Sequence, residues 1–272
     1  MKAGQAMAKP AQPAPDSGAL PQERQQRILA RLRNDGRVVA AELAVMFDVS
    51  EDSIRRDLRE LAALGLCKRV YGGALLPTAT PSPLKQRRSE HSTRKLALAR
   101  KAAELVRPGQ TLLIDTGTTN VAIASVLPTD ARLTVVTNAP HIAQLLLDRE
   151  GFDVLLIGGR IDASIGGTIG AQAVEQVRRV RADLCFPGAC AIDAAHGLWG
   201  FDSEEALFKR AMIEASDETV VVATDDKLGV VATHQVAELS RVQHLVVEHS
   251  ADRAARTAFT ARGVAVHRAD SA

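Results

Sequence analysis

The chain has 272 residues, 46% hydrophobic and 24% charged, with a formal net charge of +2. That length allows two folded domains, while no apolar run approaches the roughly 20 residues of a membrane-spanning helix and the amino terminus lacks a signal-peptide core. Three scattered Cys (Cys67, Cys185, Cys190) argue against a disulfide framework, so a reducing cytoplasm is the expected location.

Residues 1–21, rich in Ala, Pro, Gln and Gly, have no apolar period and are expected to be a disordered tail. Arg24 to Leu32 reads as a helix with Ile28, Leu29 and Leu32 inward, stopped by Asn34-Asp35-Gly36. Ala40 to Phe47 reads as a second helix, and only Asp48-Val49 separate it from Ser50. Ser50 is a suitable N-cap for a third, with Glu51 and Asp52 at its positive end. Ile54, Leu58, Leu61 and Leu64 form the buried stripe of that helix, and Gly65 is its expected stop. Ser53, Arg55, Arg56 and Arg59 stand away from the stripe and, with Ser50, are the expected DNA contacts of this helix. Arginine presents a fork of donors that suits guanine edges and phosphate oxygens. Leu66 to Leu76 then reads as two short strands around a Gly-Gly turn, with Lys68, Arg69 and Tyr71 placed to touch phosphate. Helix, short turn, recognition helix and β-wing make a winged helix-turn-helix over residues 22–77, with the helix-turn-helix at about 39–58.

The run Val49-Ser50-Glu51-Asp52-Ser53-Ile54-Arg55-Arg56-Asp57-Leu58, then Gly65-Leu66 and Arg69-Val70-Tyr71-Gly72-Gly73-Ala74, closely resembles the DNA-binding signature of the DeoR family of bacterial transcription regulators. Ser53 stands where that family usually has Thr. Charge distribution fits the reading. Residues 22–90 carry 13 Lys/Arg against 9 Asp/Glu, a net of +4, and residues 91–272 carry 19 against 22, a net of −3. A basic module on a slightly acidic body suits a DNA reader joined to a ligand domain.

Residues 78–90 read as a linker kept extended by Pro81 and Pro83. From His91 helices and strands alternate. The expected helices are Thr93 to Val106, Val121 to Leu127, Ala139 to Leu147, Glu204 to Ala215 and Asp252 to Ala261. The expected strands are Thr111 to Asp115, Leu133 to Thr137, Val154 to Ile157, Leu184 to Phe186, Thr219 to Val222 and Leu245 to Val247. Nearly continuous apolar strands between helices predict a Rossmann-like α/β domain with a mostly parallel sheet covered on both faces.

In such sheets ligands bind at the carboxyl ends of strands. The polar, glycine-marked turns lie there: Asp115-Thr116-Gly117-Thr118-Thr119-Asn120, Thr137-Asn138, Gly158-Gly159 and the stretch at Ser164. Lys209 and Lys227 offer positive charge. Together they predict a phosphorylated small molecule as ligand. The seven His show no metal-ligand spacing, and neither a metal nor a cofactor is expected. Acid–base chemistry by Asp115 with Lys209 or Lys227, as in a sugar-phosphate isomerase, is the rival reading.

Asp115-x-Gly117-Thr118-Thr119, Val136-Thr137-Asn138, Gly158-Gly159, Ala182-Asp183, Phe186-x-Gly188 and Lys209-Arg210-Ala211-Met212 resemble the DeoR effector domain, which is similar to ribose-5-phosphate isomerase and coenzyme A transferases. The resemblance implies a sugar- or polyol-phosphate effector lined by Asp115, Gly117, Thr118, Thr119, Asn138, Gly158, Gly159, Lys209 and Lys227. It implies a repressor, not an enzyme, that binds operator DNA as a homodimer or larger. The sequence departs from the pattern at Thr224-Asp225-Asp226, Trp199 and Ala191.

Overall fold

The computed structural model describes residues 21–35, 37–64, 66–70, 72–75 and 92–271. The expectations for residues 1–20, for Gly65 and Tyr71, and for the 78–90 linker lie outside them. By contacts the chain divides into two compact units, Met1–Pro77 and Thr78–Ala272.

The first unit contains α1 (Pro21–Asp35), β1 (Arg37–Val39), α2 (Ala40–Phe47), α3 (Glu51–Ala63), β2 (Lys68–Val70) and β3 (Gly73–Leu75). Helix α1 starts at Pro21, inside the stretch expected to be disordered. Proline suits a first helical position because the N–H it lacks would have no partner there. The first strand was not anticipated, because three residues are too few to show a period. It pairs with β3, and the antiparallel order is β1-β3-β2. Ile28, Leu32, Val38, Leu43, Phe47, Ile54, Leu58 and Leu61 close one core. Beside it, Arg24 holds buried Asp57 through Nε at 2.6 Å and Nη2 at 3.2 Å, fastening α1 to α3.

The second unit begins with α4 (Ser92–Ala103), β4 (Thr111–Ile114), α5 (Thr118–Val126), β5 (Leu133–Thr137), α6 (Pro140–Leu147) and β6 (Phe152–Leu156). A hairpin of β7 (Arg160–Asp162) and β8 (Gly167–Ile169) follows, then α7 (Ala171–Arg178) and β9 (Ala182–Phe186). Next come β10 (Ala191–Asp193), β11 (Gly197–Gly200), α8 (Ser203–Glu214), β12 (Ser216–Ala223) and β13 (His234–Ala237). The unit closes with β14 (His244–Val247), α9 (Arg253–Thr260) and β15 (Ala265–Arg268).

Seven strands form one sheet in the order β15-β14-β12-β9-β4-β5-β6, and every pairing is parallel. Alternate residues serve opposite faces. Leu112, Ile114, Val135, Val220 and Val246 pack against α4, α5 and α6. Leu113, Val136, Cys185, Val221 and Leu245 pack with residues of α7, α8 and α9. The inner strands are therefore buried on both faces, which is why they read as unbroken apolar runs, while the edge strand β6 leaves Leu155 and Leu156 exposed.

Other differences from the sequence reading lie at element ends and in short pieces. Helix α4 stops at Ala103 instead of Val106, and α5 begins at Thr118 instead of Val121. Asp115 lies just beyond β4. The antiparallel pieces β7-β8 and β10-β11-β13, the helix α7 and the edge strand β15 were all missed. Each strand among them has only three or four residues, and none carries the apolar run that marked the main sheet.

Candidate functional site

On α3 the Ser50 hydroxyl accepts the Ser53 N–H at 3.2 Å, and the two hydroxyls lie 3.0 Å apart. Both serines are thus engaged at the helix cap. Arg55, Arg56 and Arg59 are exposed, opposite buried Ile54, Leu58 and Leu61. Arg55 is paired with Glu51 at 2.9 Å and Asp52 at 3.4 Å. Arg56 and Arg59 have no ion pair among the described residues. Arg69 is exposed on β2, Lys68 contributes its backbone to the same strand, and Tyr71 lies outside the described residues. The winged unit thus presents a helix with three outward guanidinium groups, a form suited to a DNA groove and its phosphates.

The second unit gathers its polar groups where β4, β5, β9 and β12 end. Asp115 follows β4 and is 1% exposed. The N–H groups of Thr116 and Gly188 each donate to it at 2.8 Å, one to each carboxylate oxygen. Gly188 cannot be replaced cheaply, since a Cβ there would sit 2.8 Å from the Thr116 carbonyl and 2.9 Å from Asp115 Oδ2. Lys209 reaches in from α8, also 1% exposed, with Nζ 3.6 Å from Asp115 Oδ2. Its ammonium is also hydrogen-bonded to Glu205 one helical turn away and lies 3.7 Å from Cys190 Sγ.

This cluster holds one ammonium against two carboxylates. Burial pushes the Asp115 carboxyl upward and Glu205 adds to that, against the pull of Lys209 and the two amides. Burial disfavours the Lys209 charge, but the carboxylates of Glu205 and Asp115 outweigh it, so its pKa stands above the ordinary lysine range and the ammonium persists. Burial raises the Cys190 thiol despite the nearby charges of Lys209 and Lys227. Raised thiols of this kind are poor nucleophiles.

Asn138 joins the cluster through its Oδ1, which accepts the Thr116 N–H at 3.0 Å, while its Nδ2 donates to the Thr168 carbonyl at 3.1 Å. Thr168 in turn donates to the Ile157 carbonyl at 2.7 Å, beside Gly158 and Gly159. Gly158 is clasped by Gln176 through two bonds of 3.0 and 3.1 Å. Ser164 sits in the β7–β8 turn, where its hydroxyl and N–H bond Asp162, and the neighbouring Ile165 carbonyl accepts from Thr116 Oγ1 at 3.1 Å. Gly117 caps α5 with φ 137°, and open space surrounds its would-be Cβ. The Thr118 and Thr119 amides in the first turn have no intrahelical partners, as at any helix start. Lys227 closes a short 3-10 turn after β12.

Asp115, Asn138 and Lys209 are therefore tied together by direct contacts, and Gly158, Gly159 and Ser164 adjoin them through Thr168 and Ile165. Lys227 stands within electrostatic reach. Sequence reasoning missed Glu205 and Cys190; the i, i+4 spacing of Glu205 to Lys209 was the available signal. It also missed Glu248, whose Oε2 accepts the Asp225 N–H at 2.8 Å and so steadies the turn that carries Lys227. Trp199 lies on β11, with its indole donating to the His196 carbonyl at 2.8 Å. No group of His, Cys, Asp and Glu among the described residues is arranged to hold a metal ion.

The DeoR-like helix-turn-helix domain family matches residues 24–80, and the family described as the DeoR C terminal sensor domain matches residues 90–249. The chain belongs to the DeoR family. It is a DNA-binding transcription regulator whose second unit is a sensor domain. The chain is 38% identical over 223 residues to the glycerol-3-phosphate regulon repressor of Haemophilus influenzae, covering 82% of this chain and 87% of that one. It is 36% identical over 221 residues to the protein of the same name in Escherichia coli K12, covering 81% and 88%. Among solved structures, ribose 5-phosphate isomerase A from Methanocaldococcus jannaschii aligns with 51% of this chain and 55% of that one. Its TM-score is 0.38 and its identity 15%, too slight a likeness to support an argument. No helix among the described residues is long and apolar enough to cross a membrane.

Proposed function

We propose that this DeoR-family regulator is a cytoplasmic repressor of a carbohydrate- or polyol-utilisation operon, and that the cluster around Asp115 is its effector pocket. The effector of this reading is a small phosphorylated polyol or sugar, of the kind named by the glycerol-3-phosphate repressors it resembles. The single observation that carries it is the buried Asp115–Lys209–Glu205 cluster beside the open helix start at Gly117. A fixed ammonium and free helix-start N–H groups receive a phosphoryl group, and Asp115 and Asn138 are suited to ligand hydroxyls. Arg56, Arg59 and Arg69, with Arg55, Lys68 and Tyr71, are the proposed DNA contacts, in a homodimer or larger assembly that reads paired half-sites. The ligand acts by binding one arrangement of the protein better than the other, which shifts the DNA-competent population.

The test is a thermal-shift screen of the full chain against polyol and sugar phosphates, followed by operator binding with and without the hit. A ligand that binds only the folded state raises the melting temperature by mass action. The reading expects one clear hit, recovered chemically unchanged, that alters operator affinity. A ligand returned isomerised would establish the rival enzyme, using Asp115 and Lys209. No shift with any phosphate would remove the effector assignment while leaving the DNA-reading unit untouched.

A further inference from the structure

The carboxyl-terminal edge of the second unit carries charge that the pocket does not use. From Asp252 to Asp270 there are four arginines (Arg253, Arg256, Arg262, Arg268) against the two flanking aspartates, on a domain whose net charge is negative. Three of them line one cleft of about 420 Å³ between α9 and β15, together with Thr257, Thr260 and Val266. Among the described residues none of the three makes an ion pair. Of the two flanking aspartates, Asp252 is occupied as the α9 cap, accepting the Ala255 N–H at 3.0 Å, and neither it nor Asp270 lines the cleft. Arg256 is half-buried, and its Nε donates to the Ala251 carbonyl at 3.2 Å, which anchors the guanidinium over the cleft. The threonine hydroxyls donate back to their own helix, Thr257 to Arg253 at 2.9 Å and Thr260 to Arg256 at 3.2 Å. Their oxygens therefore remain positioned in the cleft wall.

We infer that this cleft is a second anion site, which takes the phosphoryl group of a small phosphorylated molecule outside the effector pocket. Three guanidinium groups without a carboxylate repel one another, and an anion among them relieves that repulsion. The arginine fork matches phosphate oxygens two at a time, which a solvated lysine surface does not. Val266 gives the cleft an apolar floor for the carbon part of the ligand. The site is separate from the pocket. β15 stands three places from β9 in the sheet, roughly 14 Å at ordinary strand spacing.

The test titrates the full chain calorimetrically with inorganic pyrophosphate at fixed chloride, alongside R256A/R268A, the charge reversal R253E and the pocket variant K209M. The inference expects both arginine variants to lose one pyrophosphate site by at least tenfold, K209M to keep that site whatever it loses at the pocket, and thermal melting of the arginine variants to stay unchanged. Loss in K209M alone would mean that the probe reports the interior pocket, and the cleft assignment would fall. Weak binding indifferent to every substitution would mean an adventitious ion only, with the same result. Unchanged pyrophosphate binding combined with a shallower salt dependence of operator affinity in R256A/R268A would reassign the arginines to the DNA backbone and overturn the small-molecule site.

Discussion

Arg94, in the first turn of α4, grips both carboxylate oxygens of Glu248, which follows β14 and is 154 positions away in sequence. Glu248 is buried and also accepts the Asp225 N–H, so one carboxylate ties the first helix of the sensor unit to the turn bearing Lys227. Replacing Glu248 by Gln removes the charge and one of the two guanidinium bonds. The expected cost is about 1–2 kcal/mol, discounted because Arg94 is partly solvated. Urea unfolding with an unchanged slope is the measurement. A variant as stable as the wild type would show that the pair contributes nothing net.

The Arg24–Asp57 pair plays the same part in the winged unit, with both partners largely out of solvent. Asp57→Ala leaves a poorly solvated guanidinium and should destabilise that unit by about 3 kcal/mol. The first melting transition of the full chain, followed by circular dichroism, should fall while the second stays in place. A shift of both transitions together would contradict the independence of this contact from the sensor unit.

Arg56→Ala should weaken operator binding by about 1–3 kcal/mol if its fork reads a base. Arg55 must first leave Glu51 and Asp52, so Arg55→Ala should cost less. Mobility-shift titrations on operator and random DNA separate base reading from phosphate contact. If neither variant loses affinity for either DNA, α3 is not the reading helix.

Lys209 has a folded pKa raised above its unfolded value, so its support is fully present below the unfolded value of about 10.4 and drains away as pH climbs through the folded one. Asp115, raised by burial, has the same sign at a lower pH: its ionisation costs stability once pH exceeds about 3.9. Lys209→Met strands Asp115 and Glu205 and should lose the response to the effector while keeping operator binding. Its stability deficit should narrow at alkaline pH. A deficit that already narrows between pH 7 and 9, below the unfolded value of about 10.4, would place the lysine charge outside the energetics of the cluster.

His244 Nδ1 and His267 Nε2 lie 3.1 Å apart on neighbouring strands β14 and β15. One shared proton satisfies the pair, and two charges repel. Burial, His244 and Lys101 lower the His267 pKa, with Glu104 opposing, while Glu218 lies 3.4 Å from His244. A lowered histidine stabilises the fold above its unfolded value of about 6.5 and loses that support as pH falls through the folded one. The melting temperature should therefore drop between pH 7.5 and 5.5, and His267→Gln should flatten the drop. Equal slopes in the two proteins would remove His267 as the cause.

The chain itself determined whatever depended on neighbours in sequence. The Ser50 cap, the Ile54–Leu58–Leu61 stripe and the apolar runs of β4, β5 and β12 are local patterns, so α3 and the parallel core were legible in advance. The strand-end turns at Asp115, Asn138 and Gly158 were legible for the same reason, since the main strands end where their apolar runs end. Tertiary structure decided what depended on pairing across the chain. Strands β1, β13 and β15 gain their ladder hydrogen bonds only from partners 20 or more positions away, and three or four residues carry no period of their own. The meeting of Lys209 with Asp115, and of His267 with His244, follows from the strand order β15-β14-β12-β9-β4, which no spacing in the sequence records. Burial then set the charge states, because water is excluded only once α8 lies across the strand ends.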